Sequence, residues 1–157
     1  NKEMDPVQYQ SDYIFLASNF EKWQIPFLKK NINNIKKINN QINVYVVSLK
    51  EFNYPSQYKI LKATKKERSE MYSTYSPNYM SIYNELKNQI NKDNFFDLNI
   101  YISKFDNNSK LTTSLFDKNG EIISYDGKHL TDHGSIYIAE KIKEKNKFFL
   151  EHNKNLK

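Results

Sequence analysis

Two β-branched apolar runs flank one amphipathic helix near the start of the chain, and their spacing restricts the fold more than any other stretch of its 157 residues. Tyr13-Ile14-Phe15-Leu16-Ala17-Ser18 is a continuous apolar run ending at Asn19, which reads as a strand buried on both faces. Trp23-Gln24-Ile25-Pro26 then starts a helix with proline in its first turn, where a missing N–H breaks no hydrogen bond. Ile25, Leu28, Ile32, Ile35 and Ile38 recur at helical spacing, so one face of that helix belongs to a core. Asn43-Val44-Tyr45-Val46-Val47-Ser48-Leu49 is the second run. Two strands separated by a helix form a βαβ unit, which pairs them in parallel through a right-handed crossover.

The alternation continues along the chain. Residues 50–75 are polar and basic; Tyr54-Pro55-Ser56 marks a turn, and 62–68 reads as a solvated charged face open to a short helix. Ser76-Pro77 supplies a helix cap and a first-turn proline, after which Tyr79, Tyr83, Leu86 and Ile90 line one face as a core stripe. Residues 95–102 read as a third strand, expected to join the first two in parallel and in chain order over 96–101, with Asp97 in a structural role accepting backbone or hydroxyl hydrogen bonds. Lys118-Asn119-Gly120-Glu121 is a tight turn before the short run Ile122-Ile123-Ser124. A last helix from about Asp132 is expected to carry Ile138, Ala139, Ile142 and Phe149 inward. With no internal repeat and no linker, the expectation is a single α/β domain over residues 1–157 with a parallel sheet, large enough to bury roughly 70% of the surface its unfolded chain exposes.

Composition removes several classes of function. There is no cysteine, hence no disulfide framework and no thiolate chemistry. No run of about 18 apolar residues exists, so direct membrane insertion by this chain is not expected. The net charge of +6 is spread through helices instead of forming one dense block, which argues against a nucleic-acid partner.

Acid and base chemistry converge in one place, Tyr125-Asp126-Gly127-Lys128-His129-Leu130-Thr131-Asp132-His133-Gly134-Ser135. Asp126 and His129 lie three residues apart at a loop-to-helix junction, so the carboxylate can accept the imidazole Nδ1–H and leave Nε2 outward as a general base. A competing reading takes Asp126, His129, Asp132 and His133 as metal ligands, because His-x-x-x-His puts two imidazoles on one helical face; the helix, however, begins only after His129 and no distant ligand completes a set. No metal or other cofactor is therefore expected. His152 falls in a lysine-rich, solvated tail. Asn19, at the end of the first strand, either donates its side-chain amide to a developing oxyanion or satisfies a strand-to-loop turn. Glycine occurs only at 120, 127 and 134, so neither a Gly-Asp-Ser block nor a Gly-x-Ser-x-Gly elbow can be written for a nucleophile.

Residues 126–135 resemble the terminal Asp-x-x-His-Leu-[Ser/Thr]-x-x-Gly-[Ala/Ser] block of SGNH (GDSL-type) hydrolases. Residues 12–20 are similar to a strand of the SGNH domains fused to membrane O-acyltransferases that modify surface polysaccharides, and 35–49 and Phe96-Asp97 are similar to segments that follow it there. The resemblance implies a three-layer, flavodoxin-like fold whose first strand precedes these residues. It also implies an esterase or O-acyltransferase acting on acylated carbohydrate, with His129 as base and Asp126 as its orienter. A fused or associated membrane acyltransferase and a periplasmic or other extracytoplasmic location come with it. The family's Gly-Asp-Ser block and its glycine block have no counterpart here, and the cysteine pair often found in polysaccharide-modifying members is absent. Two expectations follow: a domain whose serine is supplied from upstream sequence, or a non-catalytic remnant that binds carbohydrate or serves as a scaffold.

Overall fold

The computed structural model describes residues 13–145. In chain order its elements are β1 (Tyr13–Leu16), α1 (Ile25–Ile38), β2 (Asn43–Val47), α2 (Gln57–Lys62), α3 (Lys65–Ser69), β3 (Tyr72–Thr74), α4 (Pro77–Gln89), β4 (Phe95–Phe96), α5 (Asn99–Ile102), β5 (Ser103–Phe105), β6 (Leu111–Ser114) and α6 (Asp132–Lys145). They divide into two compact units. Among the described residues, the first holds those up to Leu49 together with Ser76–Leu98, and the second holds Lys50–Tyr75 together with those from Asn99 onward.

The first unit is the expected βαβ core. β1, β2 and β4 form a parallel sheet in that order, with Ile14 opposite Val44 and Leu16 opposite Val46. Pro26 sits in the first turn of α1, and Ile25, Leu28 and Ile32 are buried while Ile38, at the far end, is half exposed. Ser76 caps α4 by accepting from the Tyr79 backbone N–H at 3.1 Å, and Tyr79, Tyr83, Leu86 and Ile90 are all buried.

Two expectations about strands are corrected in this unit. β1 is not buried on both faces, since Phe15 remains 46% exposed. Val44 and Val46 of β2 are fully buried on one side, whereas the other side carries an aromatic ladder in which Phe15 stacks on Tyr45 at 5.5 Å and meets Phe96 edge-on at 6.0 Å. The third strand ends at Phe96 instead of running to 101, because polar side chains there take up the groups a longer ladder would use. Ser48 N–H donates to the Phe96 carbonyl at 2.9 Å, but the next backbone donor, Leu98 N–H, goes to the Ser48 hydroxyl at 2.8 Å. Asp97 accepts from the Tyr83 hydroxyl at 2.7 Å, in the structural role expected of it. Residues 99–102 then turn into the short helix α5.

The second unit contains a sheet that sequence reading did not anticipate. β3, β6 and β5 pair antiparallel in that order. Thr112, Thr113 and Ser114 of β6 are buried despite their hydroxyls, one of which, on Thr112, donates to the Lys104 carbonyl at 3.0 Å. Phe52 and Tyr75, at the two ends of the stretch 50–75 read as polar and basic, are buried as well. The expected tight turn is present: Gly120, at φ +76°, donates to the Asp117 carbonyl at 3.0 Å, and the Asp117 carboxylate accepts from the Asn119 and Glu121 N–H groups at 2.8 Å each.

α6 starts at Asp132 as expected, but its inward stripe is narrower. Gly134 and Ile138 are buried, Ala139 is exposed and Ile142 is only partly covered; Phe149 and His152 lie outside the described residues. Positions 134 and 138 share a face, whereas 139 is turned about 100° from 138. A Cβ on Gly134 would collide with the backbone carbonyl oxygen of Ile123. Gly134→Ala should therefore lower stability by about 3 kcal/mol or more in urea unfolding. Leu86→Ala, which empties a fully buried site in the first unit, should lose about 2–5 kcal/mol.

Candidate functional site

Residues 122–134 form a loop held at both ends. On one side Tyr54, from the segment before α2, places its hydroxyl between backbone groups, donating to the Leu115 carbonyl and accepting from Ser124 N–H, both at 2.9 Å. Burial pushes this phenol up to about 12, so it remains a neutral donor at any ordinary pH. On the other side Thr131 N–H donates to the Ile123 carbonyl at 3.0 Å, its hydroxyl donates to the Ile122 carbonyl at 2.6 Å, and the same hydroxyl accepts from Gly134 N–H at 2.9 Å. Thr131 thus caps α6 while tying it to the preceding segment.

Between these anchors the chain folds back on itself. Ser124 bridges Leu130 in antiparallel fashion, and the His129 carbonyl accepts from Tyr125 N–H at 3.0 Å and the Ser124 hydroxyl at 2.7 Å. Gly127, at φ +85°, accepts from Phe52 N–H at 3.0 Å, and a Cβ there would meet the Phe52 carbonyl oxygen at 2.6 Å. Only glycine combines that backbone conformation with that approach.

The Asp126 carboxylate closes the turn. Oδ1 accepts from Lys128 N–H at 2.9 Å and His129 N–H at 2.8 Å, and Oδ2 accepts from His129 Nδ1–H at 2.7 Å. These donors hold the carboxyl well below the usual range: the His129 backbone bond contributes most, followed by the imidazole bond and the Lys128 backbone bond. An ionised carboxylate can only accept, so Nδ1 carries a proton, and in the neutral imidazole the lone pair is then on Nε2. Nε2 has no hydrogen bond to any described residue, and the imidazole is 75% exposed. A ring held at one nitrogen and accessible at the other has the geometry to take and return a proton.

The other candidates fall elsewhere. Asp132 and His133 are exposed on the first turn of α6, with His129 outside the helix, and among the described residues no three His, Asp or Glu side chains are placed to hold a metal ion. Asn19 is exposed in the loop after β1, in the first unit. Lys50, which sequence reading passed over, lies within electrostatic reach of Asp126; burial lowers its pKa and the aspartate charge partly opposes that. Neither Lys50 nor Tyr54 stands near the Asp-His motif along the chain, and no local signal marks them. No family model, curated protein or solved structure matches this chain.

Because folding depresses the Asp126 pKa, the stabilisation from its hydrogen bonds is complete above the unfolded value of about 4 and is withdrawn as pH falls toward the folded value. Carbon NMR of the Asp126 carboxyl should show a midpoint well below about 4. In acid unfolding, Asp126→Asn should lose less stability than the parent across that window.

Proposed function

We propose that Asp126 and His129 form the acid–base half of a serine esterase or O-acyltransferase of the SGNH kind, acting on acylated carbohydrate. The observation that carries this reading is the 2.7 Å bond from His129 Nδ1 to a carboxylate that two backbone N–H groups already orient. In this scheme a serine from sequence outside the 157 residues gives its proton to His129 Nε2 as its oxygen attacks the acyl carbonyl. The imidazolium, stabilised by Asp126, returns the proton to the sugar oxygen as its bond to the acyl carbon breaks, releasing the sugar hydroxyl. Water, or a second hydroxyl, then removes the acyl group from the serine by the same route. Tyr125, next to Asp126 and 70% exposed, offers a ring face against which a sugar can stack. A fused or associated membrane acyltransferase and an extracytoplasmic location belong to the same proposal and rest on the motif resemblance.

Hydrolysis of p-nitrophenyl acetate tests the division of labour. The 157-residue chain should act little faster than buffer. A longer natural polypeptide that includes an upstream Gly-Asp-Ser block should turn over, with His129→Ala reducing kcat by about a thousandfold or more and Asp126→Asn by less. Absence of turnover in every such polypeptide would favour a carbohydrate-binding or scaffolding role, whereas His129-dependent turnover by the short chain would overturn the external serine.

A further inference from the structure

In the second unit, α2 leaves two large side chains mostly exposed, Tyr58 at 65% and Leu61 at 77%. Spaced three apart on a helix, they share one face. Lys59 and Lys62 flank them at the same spacing, and Lys65 and Lys66 follow in α3, so that residues 57–66 hold four lysines and no acid. All four are exposed.

The neighbouring groups hold this surface in place, and two of its four exposed lysines, Lys62 and Lys65, also have a neighbour on the surface. Arg68 Nε donates to the carbonyls of Ile60 and Ala63, both at 3.1 Å, which ties the end of α2 to α3. The Glu67 carboxylate is occupied at the start of α3, accepting from Thr64 N–H at 2.7 Å and the Thr64 hydroxyl at 2.8 Å. Lys65 shares its charge with Glu121 at 3.3 Å, and Lys62 lies 4.3 Å from the centre of the Tyr58 ring.

A soluble polyanion would engage the lysines and could stack on the tyrosine, but it has no use for the leucine. An anionic bilayer surface uses all of them: lysines meet headgroups, tyrosine settles at the interface, and leucine enters the acyl boundary. We propose that the α2–α3 face is a peripheral contact site for anionic lipid surfaces. The contact is shallow, and among the described residues no helix is long and apolar enough to cross a membrane. With few apolar groups inserted, binding is weak and falls with salt.

Co-sedimentation of the 157-residue chain with vesicles tests this directly, comparing phosphatidylcholine containing phosphatidylglycerol with phosphatidylcholine alone. The chain should partition onto the anionic vesicles only. The pair Lys59→Gln and Lys62→Gln should weaken partitioning about tenfold or more, and Leu61→Ser about tenfold. Lys36→Gln with Lys37→Gln, removing equal charge from the last turn of α1, should leave it near the parent value. The sites are exposed, and circular dichroism should show each variant folded like the parent. No partitioning by the parent chain overturns the proposal, as does an equal loss from both lysine pairs, which would mean diffuse charge attraction. Undiminished binding by Leu61→Ser overturns it too, and assigns the lysines to soluble polyanions instead.

Discussion

The closeness of Gly134 to the Ile123 carbonyl governs the second unit around the candidate site. Because no Cβ intervenes, the first turn of α6 lies directly on the backbone of 122–123, and Thr131 fastens it there with hydrogen bonds to both residues. The chain between must then leave and return within a few residues. That requirement explains Gly127 in the left-handed region and an aspartate whose carboxylate accepts from two backbone donors inside the same turn. Placement of the imidazole is a consequence of how the helix is docked.

The dyad owes its electrostatics to donors, not to burial. Both side chains are largely in water, 52% exposed for Asp126 and 75% for His129, so simple charge attraction between them is screened. Three directed hydrogen bonds to one carboxylate are less sensitive to solvent, and they hold it ionised. Tyr54 shows the opposite case, a group whose shift comes from burial and whose work is structural, bracing Ser124 against Leu115. The bond that fixes the ring at Nδ1 is also one of the three that hold the carboxylate ionised, so a surface-exposed histidine is placed without burial.

Much of the first unit was legible because its signals are local. Pro26 and Ser76 mark helix starts by backbone chemistry that needs no tertiary context, and the apolar runs at 13–16 and 43–47 lie at the distance a crossover helix requires. The second unit hid its sheet because Thr112, Thr113 and Ser114 are buried polar residues, the first two donating their hydroxyls to backbone carbonyls, so no apolar alternation betrays them. The overlong third strand failed for a related reason: at Asp97 and Leu98 a hydrogen bond to a distant side chain, Tyr83 or Ser48, outweighs the intrinsic preference of an aromatic and β-branched run.

At the site, sequence alone determined that a carboxylate three residues before a histidine, with glycine between, can close a turn and hold an imidazole by Nδ1, since those contacts form within one short segment. Only tertiary structure decided that the turn is anchored by Phe52, Tyr54 and Thr131, that Lys50 comes within reach of Asp126, and that His133 stands apart on α6. The physical reason is range. Capping and turn bonds reach a few residues along the chain, whereas the packing and pairing that bring Lys50, Phe52 and Tyr54 to residues 124–127 depend on contacts with no local signature.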